Sequence, residues 1–303
     1  MNISVNLKGK SAGKNKSLCF QVVEKALLMK FLLAQMPDKS RNTIKSILAH
    51  RQVSVNNQVI SKFDYPLEPG QQVKVNWNKV EEVPRYNGLK ILYEDQYIIV
   101  IDKQPGLLSI ATAKERQQTA YFILTEHVRK TNRKNRIYIV HRLDKDSSGV
   151  MMFAKSIEIQ EKLQNDWQKA IIDRRYVVVV EGIVENMKGT ITSWLKESSA
   201  LIMYSYKFDN GGQKAITHYN VLKKSEDYTL LEATLETGRK NQIRVHMQSL
   251  GHSIIGDKKY GATQNPIKRL GLHALLLAFK HPVTGEDMRF ETPIPKSFLS
   301  LFN

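Results

Sequence analysis

Short apolar runs bounded by polar turn residues dominate this chain, and most of them read as strands. Leu89-Lys90-Ile91-Leu92-Tyr93 and Tyr97-Ile98-Ile99-Val100-Ile101 flank Glu94-Asp95, which predicts two strands and a turn. Ile137-Tyr138-Ile139-Val140 and Val150-Met151-Met152-Phe153-Ala154 read as two buried strands on either side of a polar loop. Four consecutive valines, Val177 to Val180, imply a strand buried on both faces. A further strand is expected from Gly212 to Tyr219. Helical spacing predicts helices over 120–128 and 156–169. A third helix places Ile243, His246, Met247 and Leu250 on one face, with Arg244 beside it and Thr237 as the expected cap. On that apolar face His246 reads as a hydrogen-bonded core histidine.

The N-terminal quarter has a different pattern. Residues 26–36 are apolar enough for a buried helix that stops at Pro37-Asp38. A second helix starts at Ser40, whose hydroxyl can cap it, and puts Ile44, Ile47 and Leu48 on one face and Arg41 and Lys45 on another. Val53-Ser54-Val55, a turn at Asn56-Asn57 and Gln58-Val59-Ile60 read as a hairpin. Leu67-Glu68-Pro69-Gly70 is a turn before the alternating strand Val73-Lys74-Val75. The strand pattern breaks at Glu81-Glu82-Val83-Pro84-Arg85, a linker.

Charge changes the picture more than composition does. The 303 residues are 42% hydrophobic and 25% charged, ordinary for a globular protein, but carry a net charge of +17, which points to a polyanionic partner. Thirteen Lys or Arg against four Asp or Glu fall in residues 1–80, a net +9 in about a quarter of the chain. No apolar stretch approaches the roughly 18 residues that span a membrane, and no signal-like apolar core follows Met1, so the expected location is the cytoplasm. The single cysteine, Cys19, excludes an internal disulfide and argues against a structural zinc site.

The candidate chemistry centres on Val140-His141-Arg142-Leu143-Asp144-Lys145-Asp146-Ser147-Ser148-Gly149. It presents a carboxylate, Asp144, among basic neighbours on a loop between two strands. Read by itself, the loop is equally a polar hairpin whose Asp caps a turn. Its wording resembles the catalytic loop of the RluA-type pseudouridine synthases, with Ser147 where that family more often has Thr. The resemblance implies that Asp144 is catalytic, that Arg142 contacts RNA, and that Asp146 and Ser147 shape the loop. Arg174-Arg175-Tyr176 ahead of the valine run resembles the family's basic-x-Tyr motif, which implies that Tyr176 lies against the target base. Gly238-Arg239-Lys240-Asn241-Gln242-Ile243-Arg244 resembles the Gly-Arg-x-x-Gln-Ile-Arg motif, with Asn241 where His is common. It implies that Arg244 pairs with Asp144 and that Arg239 binds RNA. Lys103-Gln104-Pro105-Gly106 resembles the Lys-Pro-x-Gly loop, with Gln104 where Pro is usual, and Lys103 is taken as a further RNA contact. The basic run from Arg129 to Arg136, just upstream of Asp144, is placed to steer RNA.

The N-terminal pattern resembles the S4 RNA-binding module, in the manner of RluD- and RluC-like members of the family. That implies phosphate contacts from Arg41 and Lys45. The expected organisation is an S4-like module over 1–80, with 1–17 disordered, a linker over 81–88 and a catalytic domain over 89–303. The implied fold class is α+β, a mixed and largely antiparallel sheet with flanking helices, plus the small N-terminal α/β module.

Converting uridine to pseudouridine breaks the N1–C1′ bond, turns the uracil and joins C5 to C1′. No redox change, cofactor or metal enters that balance, so the expected cofactor and metal are none. A carboxylate can act as a nucleophile at the sugar or the base, or stabilise a glycal-forming elimination. Each route needs it ionised yet shielded, which a neighbouring guanidinium favours. The expectation is a monomeric enzyme acting on RNA, with large-subunit (23S) rRNA preferred over tRNA as substrate. Its rivals are an RNA-binding ribosome-assembly protein without catalysis and a hydrolase built on Asp144 and Asp146.

Overall fold

Alternating apolar residues set the strands of the N-terminal unit, and apolar residues at helical spacing set the helices packed on them. The computed structural model describes residues 17–49, 52–56, 58–77, 86–113 and 115–302. Its chain divides into two units, Met1–Pro84 and Arg85–Asn303. The first contains β1 (Ser17–Gln21), β2 (Ala26–Leu27), α1 (Leu28–Gln35), α2 (Arg41–Ala49), β3 (Val53–Val55), β4 (Gln58–Val59), β5 (Pro66–Leu67) and β6 (Gln72–Asn76). An antiparallel sheet runs β1-β6-β3-β4, and β2 pairs with β5. Val53, Val55, Val73 and Val75 pack with Leu28, Leu32, Ile44 and Leu48 in one core. Ser40 caps α2 as expected, its Oγ accepting the Thr43 N–H at 3.2 Å. The first helix begins two residues later than the apolar run suggests, because Ala26 and Leu27 are taken by pairing with Leu67 and Pro66. Of the expected Asn56-Asn57 turn, Asn56 has a left-handed φ of 46° and Asn57 lies outside the described residues. So do residues 1–16 and 78–85, which include 81–85 of the expected 81–88 linker.

The second unit is built on one eleven-stranded sheet. Along the chain its elements are β7 (Leu89–Glu94), β8 (Ile98–Lys103), α3 (Ala120–Arg129), β9 (Tyr138–Ile139), β10 (Ser148–Ala154), α4 (Ile157–Asn165), α5 (Trp167–Ala170) and β11 (Ile171–Glu181). There follow β12 (Lys188–Glu197), β13 (Met203–Tyr206), β14 (Gln213–Lys224), β15 (Tyr228–Leu235), α6 (Gln242–Ser249), β16 (Leu272–Lys280), β17 (Asp287–Glu291) and α7 (Lys296–Leu299). The strand order is β13-β12-β14-β15-β11-β16-β10-β8-β7, with β17 added to β16 and β9 to β10. Among the named strands the pairing of β10 with β16 is the one parallel pairing, so the sheet is mixed and largely antiparallel.

The valine run is buried on both faces, as its composition predicts. Val178 and Val180 pack in the core that holds Leu124 of α3 and Met247 of α6, while Val177 and Val179 pack with Phe298 of α7. The expected helix over 156–169 is two helices, α4 and α5, meeting at Asp166, with Ser156 capping the first at 3.3 Å.

The parallel pairing explains the glycine that ends the Val140–Gly149 motif. Gly149 lies opposite Ala274 with φ +110°, and a Cβ there would sit 2.1 Å from the Ala274 carbonyl oxygen. Only a residue without a side chain lets β10 leave the loop and enter the sheet this close to β16.

Candidate active site

Both neighbours of Asp144 are fixed through the main chain. Before it, the buried Ser109 hydroxyl accepts the Leu143 N–H at 3.2 Å and donates to the Leu143 carbonyl at 2.6 Å, while the Leu143 side chain sits in the core. After it, the Lys145 carbonyl accepts from Lys103 Nζ at 3.0 Å and from the Gly106 N–H at 2.9 Å. The Ser147 N–H closes the turn on the Asp144 carbonyl at 3.2 Å. Upstream, His141 Nε2 accepts the Met152 N–H at 3.0 Å, which places its proton on Nδ1. Burial, with the Arg174 charge adding to it, pulls the His141 pKa down to about 3, so the ring is neutral.

Lys103 requires a correction. Its side chain has 0% exposure and its ammonium donates to the carbonyls of Gln104, Leu107 and Lys145 at 3.1, 2.8 and 3.0 Å. All three donors are spent on loop carbonyls, so Lys103 is a clamp beneath the Asp144 loop and not an RNA contact. Burial drags its pKa down to about 8, against the pull of Asp146 and Asp144.

Above the loop, α6 supplies Arg244. Its Nη1 donates to Asp144 Oδ2 at 2.9 Å, while Nε and Nη2 hold the two oxygens of Asp257 at 2.6 and 2.7 Å. The guanidinium also lies 4.9 Å from the centre of the buried Tyr260 ring. Burial opposes its charge, but the bonds to Asp257 and the fields of Asp257 and Asp144 outweigh burial and raise its pKa further. Asp146 is exposed, and among the described residues Arg244 pairs with Asp144 and Asp257 only.

The start of α6 differs from expectation. Asn241, with φ 54°, precedes the helix without a side-chain cap, and Thr237 does not cap it. The Thr237 hydroxyl accepts the Ile216 N–H at 2.9 Å and donates to Gln242 Oε1 at 2.8 Å. Gln242 also accepts the Arg239 N–H at 3.0 Å and donates to Ile216 O and Thr217 Oγ1, so one buried amide ties the loop to β14. His246 is a core residue, held by Ser193 and Thr217 hydroxyls at 2.9 and 2.8 Å, and burial lowers its pKa to about 4.

Tyr176, on β11, is 8% exposed and packs in the same core as Leu143. Burial raises its pKa, the Arg174 charge lowers it and the Asp144 charge raises it, so it senses the field of the loop carboxylate. Arg174, two residues before it, donates to the Thr237 carbonyl at 2.9 Å, and its Nε is buried without a partner among the described residues. A Cβ on Gly238 would come within 2.9 Å of the Arg174 guanidinium, so a side chain there would displace it.

Asp144 and Arg244 therefore meet from segments distant in sequence, and Tyr176 lies within the field of Asp144. Arg142 is exposed on the Asp144 loop, and Arg239 is exposed on the loop before α6 with its Nε on the Lys214 carbonyl at 3.1 Å. Arg41 and Lys45 are exposed on α2 of the other unit. Asp257, Ser109, Gln242 and Arg174 were missed as functional positions. The sequence signal for Asp257 was its place at the end of the polar Gly251–Asp257 stretch. Among the described residues no cluster of His, Cys, Asp or Glu is arranged to hold a metal ion, and no helix is long and apolar enough to cross a membrane.

Comparison with known proteins identifies the family. The RNA pseudouridylate synthase family matches residues 97–249, and the S4 domain matches residues 27–73. An uncharacterized RNA pseudouridine synthase of Bacillus subtilis (strain 168) is 35% identical over 279 residues, covering 90% of this chain and 91% of its own. The ribosomal large subunit pseudouridine synthase D of Pasteurella multocida (strain Pm70) is 33% identical over 282 residues, covering 88% of this chain and 86% of its own. Among solved structures, human RNA pseudouridylate synthase domain containing 4 aligns with a TM-score of 0.56 at 23% identity, over 69% of this chain and 90% of that one, a likeness of fold.

Proposed function

Because this chain belongs to the RNA pseudouridylate synthase family, we propose that it isomerises uridines of large-subunit ribosomal RNA with Asp144 as its catalytic carboxylate. The observation that carries the proposal is the 2.9 Å pair between Asp144 and Arg244, residues from two separate motifs. Its preference for ribosomal RNA rests on relatives named for the large subunit and on the S4 domain. The expected setting is the cytoplasm, with the chain acting as a monomer.

The reacting uridine must leave its stack before its glycosidic bond is accessible. Tyr176 offers a ring for the extruded base. Its raised pKa keeps the phenol protonated, so it serves as an aromatic surface and hydroxyl donor rather than as a phenolate base. Asp144 acts at the sugar or the base while Arg244 supplies the counter-charge, and Arg142 neutralises phosphate beside the vacated position. The uracil then turns and C5 bonds to C1′. The C5 proton is released and N1 is protonated, so atoms balance without a co-reactant. Arg239, Arg41 and Lys45 are assigned phosphate contacts, which add affinity that falls with salt.

Tritium release from C5-labelled uridine in rRNA tests the reading. Wild type releases tritium, Asp144→Asn releases none while still binding RNA, and Asp146→Asn stays substantially active. Release by Asp144→Asn with loss in Asp146→Asn would overturn the assignment. Release from tRNA alone would replace the substrate, and no release by wild type from either RNA would leave a binding protein.

A further inference from the structure

The outer end of the large sheet carries an open aromatic face that the reaction does not use. Tyr206, Trp194 and Lys214 lie side by side across β13, β12 and β14, and Tyr204 faces Lys196 in the next row. Strand alternation points these five side chains to one side of the sheet. The other side is closed, since Leu195, Met203 and Ala215 pack against Val245 of α6 and Tyr260. On the open side Tyr204 is 48% exposed, and Phe208, whose ring meets Tyr206 at 6.4 Å, is 66% exposed. Lys196 and Lys214 are exposed beside them. Nearby acids are engaged: Glu197 pairs with Lys240, and Asp209 accepts the Gly211 N–H.

A short path joins this face to the active site. Arg174, beside Tyr176, binds the Thr237 carbonyl, and Arg239, two residues further on, binds the carbonyl of Lys214 in the face itself. We propose that the open face of β12, β13 and β14 is a stacking platform for the single-stranded RNA flanking the reacting uridine. It rests on the reading above that the substrate is RNA. Extruding one nucleotide unstacks its neighbours, and exposed aromatic rings offer them replacement partners irrespective of sequence. Lysines set among the rings match a chain of planar bases and phosphates. They do not suit a second copy of this chain, which itself carries +17.

The test uses the full chain and a fluorescein-labelled, 5-iodouridine-containing single-stranded RNA of mixed sequence. Tyr204→Ala with Phe208→Ala should weaken binding on the order of ten-fold and leave the salt dependence unchanged. Lys196→Ala with Lys214→Ala should instead flatten the log–log salt slope by about 1.4, two phosphates at roughly 0.7 each. Tyr204→Phe should bind as wild type and Tyr204→Leu should not, which separates stacking from bulk. Ultraviolet crosslinks should fall within residues 203–214. Unchanged affinity in both double variants with crosslinks elsewhere overturns the platform, as does self-association of wild type that the aromatic variant loses. Tritium release by wild type is measured in parallel. Release with unchanged affinities sinks the platform alone, whereas no release with weakened aromatic variants sinks the reaction and leaves the platform standing.

Discussion

Asp257 grips Arg244 with both carboxylate oxygens, at 2.6 Å to Nε and 2.7 Å to Nη2, and this leaves Nη1 aimed at Asp144. A fork of this kind fixes the guanidinium plane, so the remaining donor has a set direction. The Asp257 side chain is 1% exposed, so no water can substitute for it. Asp257→Asn removes the buried counter-charge and one acceptor, and should lower kcat at least ten-fold and stability by about 3 kcal/mol. Single-turnover kinetics and urea unfolding measure the two effects. Wild-type kcat in a folded Asp257→Asn protein would show that Arg244 needs no second anchor.

Lys103 acts by the same logic from below the loop. Lys103→Met keeps the aliphatic packing but strands the Gln104 and Leu107 carbonyls and leaves the Lys145 carbonyl with the Gly106 N–H alone. The expected cost is about 3 kcal/mol of stability. Activity should fall with it, because the Lys145 carbonyl helps fix Asp144, while the RNA dissociation constant stays within two-fold. A large loss of RNA affinity at unchanged stability would return Lys103 to the RNA surface.

The contrast between Asp144 and Lys103 shows what the sequence made legible. Asp144, Tyr176 and Arg244 each stand in a short motif whose residue types declare chemistry, and apolar runs such as Val177 to Val180 declare buried strands by composition alone. Lys103 could not be read this way. A lysine ending a strand is ordinarily solvated, and its burial here depends on carbonyls that two loops bring beneath the Asp144 turn. Asp257 carried only its place at the end of the Gly251–Asp257 stretch, which does not mark a carboxylate as the partner of a helix thirteen residues upstream. Thr237 has the composition of a cap, but its hydroxyl is claimed by Gln242 and β14 once the loop folds. Local pattern announces elements, and long-range partners decide which side chains remain free.

Three histidines, among them His141 with its pKa near 3, make stability fall in mild acid. Burial lowers the pKa of His246 to about 4, and burial with the Arg269 charge does the same for His273. All three folded values lie below the ordinary histidine value of about 6.5, so between about pH 4 and 6.5 the unfolded chain binds protons that the native state refuses. Their contribution is present above pH 6.5 and is lost as pH falls, at about 1.4 kcal/mol per pH unit for each group. Urea unfolding between pH 7 and 5 should show this slope, and His246→Gln should reduce it by one group. Stability independent of pH across that range would mean that these rings accept protons in the folded state.

Gly149 ties the catalytic loop to the sheet by steric necessity, and its replacement separates two costs that glycine substitutions usually mix. At Gly285 φ is +74° and a Cβ would meet nothing within 4 Å, so Gly285→Ala should cost only about 1 kcal/mol of backbone strain. At Gly149 φ is also positive, but the Cβ would lie 2.1 Å from the Ala274 oxygen and 2.7 Å from its carbon and nitrogen. No rotamer change can relieve a clash with main chain, so β10 and β16 would have to part just below the Asp144 loop. Gly149→Ala should therefore cost more than about 4 kcal/mol, and any folded fraction should be inactive. Melting curves and tritium release on the two variants provide the comparison. Ala274→Gly cannot rescue Gly149→Ala, because the atoms in the way belong to the backbone that every residue at position 274 shares.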